Sequence, residues 1–218
     1  MKQTATPGDT AKDAIIVAAI CFGWFILTSI QAVASGFPTR PFSDSSFIGI
    51  IALEVIFGAT AIAYLRARGY NLTRLLPVPT ALGCLIGLAL YAATVLVSWP
   101  LELLIRAAQP ATQPIEQIVA NATLSFMPLV AVSVVNGVYE EVFLVGYLQR
   151  ALESSGAAFA VGASVLVRML YHLYQGPSGA ISIIGFGLVL SLYFLWKRKL
   201  WPLVFAHIFA DIAGFSLW

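Results

Sequence analysis

Seven ionisable side chains stand inside apolar runs of this chain: Glu54, Glu140, Glu141, Arg168, His172, His207 and Asp211. A charge at such a position costs roughly 2.5 to 3.5 kcal/mol on insertion scales, so each is a functional candidate by default. Their spacing groups them into three polar stripes. Asn136 stands one helical turn before Glu140, Arg168 one turn before His172, and His207 one turn before Asp211. An i, i+4 spacing puts both members of a pair on one helix face. Glu140 and Glu141 are neighbours, so on a regular helix they point about 100° apart and should serve different directions. One would face a cleft and the other would brace a neighbouring helix.

Carboxylates, imidazoles and an arginine on three helices suit two hydrolytic chemistries. A carboxylate can activate water as a general base, with a histidine sharing the proton. Alternatively His172, His207 and Glu140 can hold a divalent metal such as zinc, whose bound water attacks a carbonyl. Either route hydrolyses a peptide bond within the membrane. Two other uses of the same residues compete: hydrogen bonds that hold helices together, and an ion or proton relay. Against a transporter, the sequence has no repeated half. Glu54 has no partner in the pattern and reads as a structural or lipid-interface residue.

The elements that must carry these stripes are membrane helices. Apolar residues make up 60% of the 218 residues and charged residues 10%, against roughly 25% charged in ordinary soluble domains. Mean hydropathy is +0.89. A net charge of +2 gives no footing for nucleic acid. The two cysteines, Cys21 and Cys84, lie in apolar runs, as small buried hydrophobes do.

A span needs about 20 apolar residues, and seven runs qualify: Ala14–Ala34, Phe47–Leu65, Ala81–Trp99, Phe126–Leu148, Ala157–Tyr174, Ala180–Trp196 and Pro202–Trp218. The first is too long for a signal-peptide core and reads as an uncleaved span. Breaker residues separate the runs at Gly36-Phe37-Pro38, Pro77-Val78-Pro79, Gln109-Pro110, Ser154-Ser155-Gly156 and Gly176-Pro177-Ser178-Gly179. The stretch Pro100–Ser125 has room for an eighth, interfacial or re-entrant helix. The expected fold is therefore all-α, a polytopic bundle of seven or eight spans in a single membrane domain, multi-pass in the cell membrane. Of the twelve basic residues, nine (Lys2, Lys12, Arg66, Arg68, Arg74, Arg150, Lys197, Arg198 and Lys199) fall on one side of such a bundle. Only Arg40 and Arg106 fall on the other. The positive-inside rule then makes the N-terminus cytoplasmic.

The run Tyr139-Glu140-Glu141-Val142-Phe143-Leu144-Val145-Gly146-Tyr147-Leu148-Gln149-Arg150 resembles the first motif of the CAAX protease and bacteriocin-processing (Abi) family of intramembrane endopeptidases, a Glu-Glu pair followed by three residues and Arg. The stretch Ser164 to Gly176 resembles the second, a His four residues after a Phe. His207-Ile208-Phe209-Ala210-Asp211 resembles the third, a His, three residues and a polar residue. The resemblance spans residues 126–218 and leaves 1–125 as scaffold and gate. It implies that Glu140 activates water with help from His172, and that His207 and Asp211 stabilise the oxyanion or help to bind a metal. Glu141 completes this catalytic set, with Arg168 and Asn136 in support. The family has been described both as metal-dependent and as metal-free. Its substrates are membrane-associated or prenylated peptides, and some members are immunity proteins. The chain departs from the pattern twice: Val145 stands where the first motif has Arg, and Arg168 where the second has Phe. Arg168 can then replace the missing cation from the facing helix and hold Glu141 by a charge-assisted hydrogen bond.

Overall fold

The structure, a computed structural model, describes residues 10–108 and 111–216. Lys2, the Gln109-Pro110 break and the last two residues of the final run lie outside them, as does the side chain of Arg106. Among the described residues every regular element is a helix, with one isolated bridge between Ser43 and Thr123.

Helix α1 covers Ala11–Ala34, α2 Asp44–Ala67, α3 Ala81–Ala108 and α4 Pro114–Ala120. Helix α5 begins as Phe126–Glu140, widens into a π-helical stretch over Glu141–Gln149 and closes with Arg150–Leu152. Helices α6, α7 and α8 cover Ala157–Tyr171, Gly176–Lys197 and Trp201–Ser216. Five helical segments are long and apolar enough to cross a membrane: Ala11–Ala34, Asp44–Ala67, Ala81–Ile105, Phe126–Ser155 and Leu173–Lys197. Ala157–Tyr171 and Trp201–Ser216 are shorter apolar helices. At about 1.5 Å per residue they reach roughly 22–24 Å, less than a hydrocarbon core of about 30 Å.

Three expected boundaries shift. Helix α3 runs through Pro100 to Ala108 rather than ending at Trp99, because proline is tolerated within membrane helices where neighbours re-satisfy the backbone. The Gly176–Gly179 break is the first turn of α7, with Pro177 where its missing N–H costs nothing. The run Ala157–Tyr174 ends as a helix at Tyr171 and continues as a single 3₁₀ turn, Leu173–Gln175. The backbone N–H groups of this turn and of the first turn of α7 find side-chain partners. The N–H of Tyr174 donates to the Ser29 hydroxyl of α1 at 2.9 Å, and that of Ser178 to the Gln113 side chain at 3.3 Å. Short helix α4, which falls in the Pro100–Ser125 stretch, covers this turn. Pro114 lies so close to Gly176 (φ +81°) that no side chain fits there.

Helix α5 is the axis of the bundle. Every residue from Tyr139 to Gln149 is buried, as befits a helix apolar on all sides. It packs on α2 and α8, while α3 packs on α7 and α8, and α6 on α1 and α7. One apolar cluster joins α1, α2, α5 and α6 around Phe22, Tyr139, Phe143 and Tyr147. A second joins Val145 to Leu190, Phe194, Leu203 and Ala206. Glu140 and Glu141 stand between the two. The outer surface carries large apolar side chains such as Leu96, Leu104, Phe126 and Met127, a covering suited to lipid. Gly137 sets the distance between α5 and α8: a Cβ there would lie 2.9 Å from Ile208 and 3.2 Å from its backbone nitrogen. This close approach brings His207 against the carboxylates.

Candidate active site

The site grows from the buried arginine of α6. Arg168 is 1% exposed, and its planar fork reaches both carboxylates. Nη2 donates to Glu141 Oε1 at 2.7 Å and Nη1 to Glu140 Oε2 at 3.1 Å. The expected Arg168–Glu141 pairing is thus present. The expectation that adjacent glutamates serve different directions is corrected. A guanidinium offers two parallel donors, so two flexible side chains that leave the helix at different angles converge on one cation. Val145 is fully buried and packs in the α7–α8 apolar cluster.

His207, from α8, closes the far side. Its Nδ1–H donates to Glu141 Oε1 at 2.7 Å. That assignment leaves Nε2 as an acceptor for the Asn136 amide at 3.3 Å, while the same amide donates to Asp211 Oδ2 at 3.2 Å. His207 Nε2 lies 3.7 Å from Asp211 and 3.9 Å from Glu140. Phe186 of α7 walls the group, edge-on to the His207 ring at 5.2 Å and 5.3 Å from the Arg168 guanidinium. Six of the seven expected site residues, Glu140, Glu141, Arg168, His207, Asp211 and Asn136, therefore form one hydrogen-bonded cluster. The seventh, His172, stands beside it. Its Nδ1 bonds the Arg168 carbonyl at 2.9 Å, where it caps the end of α6, and its ring lies 4.5 Å from that of Tyr171.

Two residues of the neighbourhood were not placed at the site by the sequence. Tyr171 donates to Glu140 Oε2 at 2.5 Å and is itself buried against Phe22. The only sequence signal was its place one residue before His172. Glu54 of α2 is 4% exposed and its Oε2 has no hydrogen-bond partner, which removes the lipid-interface reading. Gly58, one turn along, lies against Tyr139 and Phe143. That register sets Glu54 at the level of Asn136, within electrostatic reach of Glu140 and Asp211. Tyr171→Phe should cost about 1.5–3 kcal/mol, the worth of a hydrogen bond to a charged group. An unchanged thermal midpoint in detergent would show that the bond contributes nothing.

A metal was expected on His172, His207 and Glu140. Among the described residues the atoms that converge within 4.8 Å belong instead to Glu140, Glu141 and His207. The donor types suit zinc, but the Arg168 guanidinium already bridges both carboxylates. A divalent ion would have to displace a buried cation, so the residues do not fit a resident metal. A cleft of about 190 Å³, lined by Glu116 and Val119 of α4, Gln175, and Asp211, Gly214 and Phe215 of α8, borders the cluster at Asp211. Asp211 is the exposed edge of the site, its side chain 23% accessible.

Residues 122–213 match the family profile described as type II CAAX prenyl endopeptidase Rce1-like. No curated protein and no solved structure matches the chain. The matched segment holds all three motifs and every member of the hydrogen-bonded cluster. Residues 122–213, less than half of the chain, are thus similar to the type II CAAX prenyl endopeptidase Rce1-like family, in line with the CAAX-protease resemblance of the three motifs.

Proposed function

We propose that the chain is an intramembrane endopeptidase that hydrolyses a membrane-associated or prenylated peptide with water activated by Glu140. The observation that carries this reading is a buried carboxylate, oriented by Arg168 and Tyr171, lying 3.9 Å from His207 and next to the one site residue that meets the cleft, Asp211. Glu140 takes a proton from water as the oxygen attacks the carbonyl carbon. The Asn136 amide, held by Asp211, turns to the oxyanion the N–H that it otherwise gives His207 Nε2 and stabilises the charge there, with His207 and Asp211 as its orienting partners. Collapse breaks the C–N bond, and Glu140 returns its proton to the leaving amine. His172, fixed through Nδ1 by the Arg168 carbonyl, assists Glu140 from beside the cluster rather than from the cleft wall. Residues 1–125 act as scaffold and gate, and 126–218 as the catalytic core.

The test is cleavage of a library of membrane peptides by purified chain in proteoliposomes, with and without a strong chelator. Cleavage that survives the chelator is expected, because Arg168 stands where a cation would bind. Chelator-abolished cleavage, restored by zinc, would refute the metal-free route. A second reading, a non-catalytic immunity or adaptor protein, is favoured by one observation: Glu140 is tied up by Arg168 and Tyr171. Absence of cleavage across the library would select it.

Seven crossings with a cytoplasmic N-terminus follow from the basic loops, and the two short helices cross where the bilayer thins. The α4 cleft then opens on the outer side. With Cys21 and Cys84 replaced by alanine, Thr39→Cys should react with a membrane-impermeant maleimide on intact cells. Thr73→Cys should react only after permeabilisation. The reverse pattern would invert the topology.

A further inference from the structure

At the end of the bundle away from α4, a second recess of about 260 Å³ lies between the Leu72–Leu75 turn, the start of α3 and the loop from α7 to α8. Its lining divides by chemistry. Arg74, Arg198 and Lys199 are the charged members, while Leu82, Ile86 and Trp201 are among the apolar ones. The recess sits where α3 begins, α7 ends and α8 begins, the depth at which helix ends meet lipid headgroups. Its parts are held in place. Trp201 donates to the Cys84 sulfur at 3.4 Å and packs on Phe205. Arg198 pairs with Glu153, lies over the Phe194 ring, and has a left-handed backbone (φ +58°). A non-glycine residue keeps that conformation only where its surroundings over-determine it. Lys199 is exposed and forms no ion pair among the described residues.

We propose that this recess binds one anionic phospholipid, its phosphate held by Arg74, Arg198 and Lys199 and its upper acyl chain laid along Leu82, Ile86 and Trp201. Charge complementarity selects a phosphate, and the apolar wall at helix-end depth selects a lipid over a soluble anion. Basic pockets between membrane helices take such headgroups. The site is separate from the carboxylate cluster, so it stands whether or not the chain is a peptidase.

The test uses purified full-length chain in mild detergent and native mass spectrometry, with phosphatidylglycerol or phosphatidylcholine added. One phosphatidylglycerol should be retained with a preference on the order of tenfold over phosphatidylcholine. Lys199→Gln and Arg74→Gln should each weaken it about fivefold, from the worth of one cation near an anionic surface. Lys199→Arg should keep it, and circular dichroism should be unchanged in all three. Equal retention of the two lipids overturns the proposal. So does undiminished retention in both glutamine variants, or displacement of the lipid by millimolar inorganic phosphate, which would mark a free-anion site.

Discussion

Glu140→Gln should lower cleavage by about 10²–10⁴-fold, the usual worth of a general base, while the protein stays folded. The amide keeps an oxygen for the Tyr171 hydroxyl and for Arg168 Nη1, so the bonds at 2.5 and 3.1 Å have a neutral acceptor left. Glu141 still satisfies the other half of the guanidinium at 2.7 Å. What is lost is the ability to take a proton from water. The measurement is initial rate against thermal midpoint for parent and variant in the same proteoliposomes. A variant as active as the parent would end the general-base assignment. A variant that loses activity and structure together would make Glu140 a structural residue.

The second large effect lies on the cation. Arg168→Ala leaves two buried carboxylates facing each other, and breaking a buried pair from one side costs about 3–5 kcal/mol. Glu141→Ala removes one arm of the fork and the Nδ1 partner of His207, so it should be severe as well. Because both changes break the same contact, the double variant should be little worse than the worse single one. Additive losses in unfolding free energy would show that the two residues act separately. Arg168→Lys is a sharper probe, since an ammonium keeps the charge but cannot bridge two carboxylates with parallel donors. It should recover part of the stability and leave Glu140 poorly oriented.

Much of this arrangement was legible in the sequence because the membrane makes charges conspicuous. Arg168, His207 and Asp211 could be selected by cost alone, and the i, i+4 spacing correctly placed Asn136 beside Glu140 and His207 beside Asp211. Each of the seven apolar runs is mostly helical over its described residues. The convergence of Glu140 and Glu141 was not legible, because a regular helix separates them and the guanidinium that reunites them comes from another element. Tyr171 carries no charge and so gave no alarm. Glu54 did, but its place depends on the α2–α5 register set at Gly58, which no local pattern encodes. The role of His172 was read from its neighbours in sequence. In three dimensions its first commitment is to the carbonyl that ends α6, a demand of the helix terminus.

The brevity of α6 has a consequence for solvent. On the proposed seven-crossing topology, lipid tails that meet a wall of 15 residues cannot stay fully extended beside it, and the bilayer surface dips there. Headgroups and their hydration shell descend with it. On that topology the aqueous boundary is drawn toward the carboxylates that Arg168 of α6 holds, and the proposed reaction's water has a shorter way to travel.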